Sequence, residues 1–344
     1  MIEVLNETPE AMACAEIDTL TTVTLNTVNT SVCEAKQAQN VSKNTVAKHF
    51  SAASGQYDRY AQVQKQIAQV NLELLNKVRA GQDAAYSVDL GCGTGIHTKS
   101  LAGMSEDCLA IDISLGMLEM AKRNHAETTT AANKAIQYCT GDADNLPLQS
   151  GTADIIHSSM ALQWCTSPNI AIDEIARVLS ENGSAQLAIM LDSSLHELRL
   201  AWDSLGIASR VNRFFSQQQW LEAAEQVGTA QVRTNTVGQF NIQYRVEQFT
   251  EWHKSSLHML RALKRIGAAT KNNPTHVNSA LNTSAMAASV GISKQELRAL
   301  DQKMYQQLLA DSPQDGSDSN PSSLEQGLPL SYQVLFLSIH KSQD

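Results

Sequence analysis

The chain has 344 residues, of which 42% are apolar and 18% charged, and carries a formal net charge of −9. Such a composition belongs to a soluble globular protein built as one large domain, or a domain with an added lobe, and not to a fibrous or disordered chain. The acidic balance argues against wholesale nucleic-acid binding and leaves room only for a local basic patch. No stretch approaches the roughly 20 continuous apolar residues that cross a bilayer, so no membrane span is expected. The six cysteines (Cys14, Cys33, Cys92, Cys108, Cys139 and Cys165) show no C-x-x-C spacing, which points to a reducing cytoplasm without a disulfide framework or a metal site.

Residues 1–42 are rich in Thr, Asn, Val and Glu and lack the basic start and unbroken apolar core of a signal peptide. The run Thr22-Val-Thr-Leu-Asn-Thr-Val28 alternates like a strand without an evident partner, so a disordered extension is expected over 1–42. From Lys43 the pattern becomes helical, with Val46, Phe50, Tyr57, Tyr60, Val63, Ile67, Val70 and Leu74 at apolar spacing and a break at Ser54-Gly55. Residues 43–80 thus form N-terminal helices, and the main domain is expected over 81–344.

That domain opens with an apolar strand from Ala84 to Leu90, followed by Gly91-Cys-Gly-Thr-Gly95 and a helix from Ile96 to Met104. A strand, a glycine turn and a helix start form a crevice in which backbone can approach a ligand without Cβ interference. The spacing is Gly-x-Gly-x-Gly preceded by Asp89, which argues against a dinucleotide and towards a ligand whose amino-acid portion meets the loop. A second strand, Cys108–Ile113, ends at Asp112, roughly 20 residues further on, where doubly wound folds place a ribose acceptor; a helix cap is the other use of such an acid. A third strand, Ile136–Thr140, runs into Gly141-Asp-Ala143, suited to the amine and edge of an adenine. A fourth, Ala153–His157, runs into Ser158-Ser-Met-Ala-Leu-Gln-Trp164.

Beyond these, the pattern predicts a helix over Pro168–Leu179 stopped by Asn182-Gly183, and a strand over Ala185–Leu191. It then predicts helices over Leu195–Leu205 and onward to Val227, and paired strands Thr229–Val237 and Gln239–Arg245 around Gly238. A long helix over Val246–Ile266 and another over Ser293–Leu309 follow. The insertion of about 194–310 is expected to bind the acceptor, 311–327 to be a flexible loop, and Tyr332–His340 to close the sheet as a last, antiparallel strand. The fold class is α/β, a parallel sheet with helices on both faces.

The Asp-Leu-Gly-Cys-Gly-Thr-Gly loop resembles that of the class I S-adenosylmethionine-dependent methyltransferases, whose sheet is Rossmann-like. The resemblance implies cofactor contacts at Asp89, Gly91, Gly93 and Gly95 for the methionine end and at Asp112 and Ile113 for the ribose. It further implies Met117, Asp142 and Ala143 for the adenine, Ser158 at the edge facing the methyl group, and a lid made by the N-terminal helices. That edge offers Ser158, Ser159, Gln163 and Trp164 and no evident base pair of side chains, so an acceptor that is already a nucleophile, such as a carboxylate, is expected.

Further stretches are similar to the malonyl-acyl-carrier-protein O-methyltransferases of biotin synthesis. They are Val46-Ala-Lys-His-Phe-Ser-Ala-Ala-Ser-Gly-Gln-Tyr57, Met160-Ala-Leu-Gln-Trp-Cys165, Leu200-Ala-Trp-Asp-Ser-Leu205, Asn212-Arg-Phe214, Leu263-Lys-Arg-Ile-Gly-Ala-Ala269 and Leu328-Pro-Leu-Ser-Tyr332. The resemblance spans about residues 43–340 and leaves out the N-terminal extension and the Ser/Asp/Pro-rich insertion before Leu328. It implies S-adenosyl-L-methionine as methyl donor and malonate on an acyl-carrier protein, or on coenzyme A, as acceptor. Arg213 is the expected partner of the free carboxylate, through a bidentate fork, with Tyr57, Tyr60 and Gln163 completing the pocket. Arg261, Lys264, Arg265 and Lys271 are a docking face for an acidic carrier or the solvated side of a helix. Methylation of another small acid or a quinone precursor, or a non-methylating assembly role on the same fold, are the alternatives.

Overall fold

The computed structural model describes residues 21–22, 42–79, 81–82, 84–126, 136–206, 212–233, 239–266, 292–310 and 327–342. Expectations for the rest of 1–42, for 311–326, for Gly238 and for Lys271 lie outside the described residues. Five strands run parallel: β2 (Tyr86–Leu90), β3 (Asp107–Asp112), β4 (Ile136–Thr140), β5 (Ala153–Ser159) and β6 (Leu179–Met190). Strands β2, β3 and β5 are largely buried on both faces, as the interior of a parallel sheet requires, whereas β4, at the edge, is only partly buried. With β1 (Thr21–Thr22), β7 (Gln239–His253) and β8 (Leu328–Ser342), the order across the sheet is β1-β7-β8-β6-β5-β2-β3-β4.

The chain moves outward from β2 in one direction through β3 and β4, then in the other through β5 and β6. The crossovers therefore diverge at the carboxyl ends of β2 and β5, and a crevice opens there. Helices α6 (Pro168–Val178) and α8 (Gln217–Arg233) cover one face, where Ile172, Ile175 and Trp220 join Val88, Ile156 and Leu337 in one core. On the other face lie α3 (Gln62–Arg79), α7 (His196–Ser204), α9 (Ser256–Arg265) and α10 (Lys294–Ala310), around Trp202, Met259 and Tyr332. Helices α1 (Lys43–Ala53) and α2 (Tyr57–Tyr60) precede α3 and lie over the crevice.

A buried polar network fixes α3 to the sheet. Asn71 donates to the carbonyls of Ser158 (3.0 Å) and Gln186 (3.3 Å), and the Gln186 amide donates back to Asn71 Oδ1 at 3.1 Å. Every partner is satisfied inside the core, so the network specifies one seating of α3.

The second half departs from the sequence expectations. Residues 229–233 continue α8 instead of forming a strand, and the strand that starts at Gln239 runs on to His253, through much of the stretch expected to be helical. The apolar spacing of Val246, Phe249 and Trp252 imitates a helix, but 15 residues of antiparallel pairing, from Gln239↔Ser342 to His253↔Leu328, impose the strand. The helix begins only at Ser256, where the Ser255 hydroxyl accepts the His258 amide at 3.3 Å. Strand β8 is antiparallel as expected, yet it sits between β6 and β7 instead of closing an edge. Its residues are buried on both faces, which only an interior position provides. At the other end, β6 starts directly at Leu179, with Asn182 in left-handed conformation inside it (φ 63°). Thr21 and Thr22 pair with Tyr244 and Gln243, giving part of the N-terminal run the partner its alternation called for.

Candidate functional site

The glycine turn leaves β2 with the Gly91 and Cys92 amides donating to the Ile111 carbonyl at 2.7 and 3.0 Å. Gly91 has φ +74°, and a Cβ there would lie 2.2 Å from Ala161 Cβ, so no other residue fits. Gly93 faces open space, and its amide donates to Asp112 Oδ2 at 2.9 Å. The other Asp112 oxygen accepts the Ser114 amide at 2.8 Å, at the start of α5 (Leu115–Ala126). Each carboxylate oxygen therefore keeps one acceptor position, the pair a vicinal diol needs. Burial raises the Asp112 pKa to about 6 against these two amide bonds.

These groups line one cleft at the carboxyl edge of the sheet, together with Leu90, Gly141 and Ala161. Ile113, Met117, Asp142 and Ala143 line one end, and Tyr57, Ser159 and Met160 the other. Helix α1 forms the roof. Ser51 packs where Gly116 has no side chain, and its hydroxyl lies 2.8 Å from that of Ser114, which brings Lys43, Val46 and Phe50 over the opening. Lys43 pairs with Asp142 (2.5 Å) and with Asp144, and so ties the roof to the loop after β4. Phe50, Tyr57, Trp164 and Phe214 form a chain of ring contacts at 5.7–6.4 Å along the mouth. The Tyr57 hydroxyl is held protonated, its pKa pushed well up by burial and by Asp112 and Asp58.

Most of the residues expected at a cofactor site therefore line this cleft: Gly91, Gly93, Asp112, Ile113, Met117, Asp142 and Ala143, with Tyr57. Others have different surroundings. Gly95 meets α5: a Cβ there would stand 2.8 Å from the His125 ring, and the Gly95 carbonyl accepts His125 Nε2 at 2.8 Å. Its glycine serves helix packing. Ser158 is fully buried and donates to the Leu90 carbonyl at 2.8 Å, whereas its neighbour Ser159 lines the cleft. Alternation along a strand sends the two to opposite faces. Asp89 lies beneath the loop, accepting Thr98 Oγ1 at 2.6 Å and facing His157. Gln163 is buried beside the wall, its amide donating to the Met160 carbonyl at 2.7 Å, and does not line the cleft. Arg213 is exposed, one residue from the wall aromatic Phe214, and makes no ion pair among the described residues. Tyr60 lies outside the cleft, with the Arg265 guanidinium 4.2 Å and that of Arg59 5.8 Å from its ring.

The sequence reading did not single out Lys43, Met160 or Cys165 as lining residues. Lys43 marks only a helix start in sequence, and its acidic partners are about a hundred residues away. Lys43→Ala is expected to weaken binding of S-adenosylhomocysteine about threefold, the worth of a part-exposed ion pair. Calorimetric titration at two salt concentrations checks this, because added salt should weaken the wild-type protein towards the variant.

The cleft fits S-adenosylmethionine on its own geometry: a diol-accepting carboxylate, an apolar slot beside Met117, and a glycine floor that any Cβ at Gly91 would obstruct. Residues 88–187 match the family described as a methyltransferase domain, Methyltransf_11. The chain is 32% identical over 243 residues to the malonyl-[acyl-carrier protein] O-methyltransferase of Hahella chejuensis, covering 70% of this chain and 80% of that protein. It is 34% identical over 191 residues to the biotin biosynthesis bifunctional protein BioHC of Cellvibrio japonicus, but spans only 36% of that protein's length. A putative methyltransferase from Bacillus halodurans shares the fold, with TM-score 0.50 over 79% of this chain and 99% of that one, at 12% identity. Among the described residues, no helix is long and apolar enough to cross a membrane.

Proposed function

The chain belongs to the malonyl-[acyl-carrier protein] O-methyltransferase family, and we propose on that premise that it esterifies the free carboxylate of a malonyl group carried as a thioester on an acyl-carrier protein. The methyl ester formed is the starting unit for pimeloyl and biotin synthesis. What supports the reading most directly is the cleft at the carboxyl ends of β2 and β3, where Asp112 and the glycine turn converge under an aromatic lid. S-adenosyl-L-methionine is the methyl donor, and when bound it supplies a methyl group activated by a sulfonium charge.

The work left to the protein is alignment and exclusion of water. Asp112 accepts from the ribose diol, Met117 and Ala143 flank the base, and Gly91 and Gly93 let the loop approach the remainder. Phe50, Tyr57 and Trp164 close the mouth. A malonyl carboxylate is ionised at neutral pH, so no base is required, which agrees with a Tyr57 hydroxyl that keeps its proton. That hydroxyl acts as a hydrogen-bond donor at the wall.

Arg213 is the proposed partner of the substrate carboxylate, exposed beside the mouth at Phe214. Removing a charge-assisted hydrogen bond costs about 1.5–3 kcal/mol. Arg213→Ala is therefore expected to raise KM for malonyl-carrier protein roughly tenfold or more, with S-adenosylhomocysteine affinity unchanged; an unchanged KM would assign the carboxylate to another cation. Arg59 and Arg265 are exposed and flank Tyr60 on the lid side, and with the exposed Lys264 next to Arg265 in α9 they supply a basic docking face for an acidic carrier protein. The test of the whole reading is intact-mass analysis after incubation with S-adenosyl-L-methionine and malonyl-carrier protein. One added methyl on malonyl-carrier protein, and none on acetyl-carrier protein, is the expected result.

A further inference from the structure

Helix α2 carries Tyr57 into the wall of the cleft, yet little in α2 itself holds it there. It is a single turn of four residues, none of them fully buried, and no side chain caps its start. One turn does not repay the cost of nucleating a helix, so α2 has no stability of its own. Contacts with the rest of the fold must seat it, and Asp58 provides them.

Asp58 Oδ1 accepts the Thr94 hydroxyl at 2.5 Å, and Oδ2 accepts the Asn124 amide at 3.4 Å. The Asn124 amide also donates to the Thr94 carbonyl at 3.0 Å, so α2, the glycine turn and α5 are joined in one closed ring of hydrogen bonds. The Asp58 carbonyl in turn accepts the Lys65 ammonium of α3 at 2.5 Å. Thr94 is 2% exposed, and the residue before it, Gly93, donates its amide to Asp112 Oδ2 at 2.9 Å. The turn is thus gripped at two successive residues, by Asp112 from the sheet and by Asp58 from the lid. A bond from a buried hydroxyl to a carboxylate is charge-assisted and shielded from water, which makes it stronger than a neutral surface bond.

We infer that Asp58 is a positioning residue: its bond to Thr94 latches α2 to the glycine turn, sets Tyr57 at the cleft wall, and couples closure of the lid to occupancy of the methyl-donor site. A ligand that steadies the turn favours the latch, and by reciprocity a closed latch favours the ligand. The wall that meets the acceptor is then complete only once the donor is in place, so the donor binds first. The part of Tyr57 in this rests on the proposed acceptor reading; the latch itself does not.

Hydrogen exchange at the amides of Arg59 and Ala61, which donate to the Gln56 and Tyr57 carbonyls at 3.1 and 2.9 Å, tests the latch directly. In the wild-type protein, saturating S-adenosylhomocysteine is expected to slow exchange in a peptide spanning residues 56–61 about tenfold. Asp58→Ala and Thr94→Val are expected to exchange roughly tenfold faster without ligand, as the loss of a charge-assisted bond implies. They should also gain no protection at ligand concentrations where calorimetry shows the site filled, a loss of coupling that a merely structural contact would not produce. Thr94→Ser keeps the hydroxyl and should restore the protection. With malonyl-carrier protein as acceptor, the two latch variants are expected to raise KM about tenfold. Melting curves establish that each variant is folded at the temperature of exchange. Wild-type exchange that the ligand does not slow, or protection that survives in Asp58→Ala and Thr94→Val, overturns the inference, and so does Thr94→Ser that exchanges like Thr94→Val. The expected exchange pattern in a protein that leaves malonyl-carrier protein unmethylated would uphold the latch and overturn only the acceptor reading.

Discussion

Gly91→Ala is expected to abolish S-adenosylhomocysteine binding, with at least a hundredfold loss of affinity, and to lower the melting temperature at the same time. Two costs combine. At φ +74° an alanine pays about 1–2 kcal/mol for left-handed backbone. Its Cβ would also stand 2.2 Å from Ala161 Cβ, an atom fixed to the backbone that cannot rotate away. Ala161 follows Met160, itself left-handed at φ 55°, so the segment leaving β5 has little freedom to retreat. Overpacking of this kind costs about 1–3 kcal/mol. The sum, about 2–5 kcal/mol, predicts a melting temperature lower by roughly 4–10 °C, taking about two degrees per kcal/mol for a chain larger than the roughly 150–250 residues over which two to four degrees is usual. Relief of the strain would push the turn into the floor of the cleft, which is why binding fails even in the folded variant. The double variant Gly91→Ala, Ala161→Gly removes the collision but not the backbone strain, and should recover part of both losses. A folded single variant with wild-type affinity would show that the turn is not the floor of the site.

Gly91 also shows why the site was legible before the structure. Strand-end glycines and acids act locally: Gly91, Gly93 and Asp112 are related through two adjacent strands, and the chemistry of each is written in its own neighbourhood. Gly95 belongs to the same motif, but its glycine answers to His125, 30 residues later, and the sequence offers no sign of that pairing. Ser158 and Ser159 differ only in which side of β5 they face, and the strand's end fixes that parity only when its register against β2 and β6 is known. The second half was harder for the same reason. Strand β7 draws its pairing from β8, with Gln239 opposite Ser342 about a hundred residues away, and its own apolar spacing favours a helix. Where pairing is that distant, local pattern carries little of the decision. The interior place of β8 was nevertheless visible in Val334-Leu-Phe-Leu337, an unbroken apolar run that an edge strand would expose.

Asp112 should make cofactor affinity depend on pH in a window well below neutrality. Burial raises its pKa from 3.8 to about 6 in the ligand-free protein. A raised pKa means that the folded chain binds a proton the unfolded chain has lost, so this residue's contribution to stability is fully present below 3.8 and is lost as pH rises through about 6. At neutral pH the buried carboxylate is therefore a liability of roughly 3 kcal/mol, taking 1.36 kcal/mol for each pH unit. Diol hydroxyls donated to its two open acceptor positions favour the ionised form and relieve part of that cost. Binding below pH 6 must first expel the proton. Affinity for S-adenosylhomocysteine is thus expected to be flat above about pH 6.5 and to fall by up to tenfold per unit between pH 6 and 5. Calorimetry in buffers of different ionisation enthalpy should register close to one proton released per ligand near pH 5. Asp112→Asn removes both the proton release and this slope, while leaving a weaker, pH-independent affinity over the same interval. A slope that survives in Asp112→Asn would place the titrating group elsewhere in the cleft and remove Asp112 from the ribose contact.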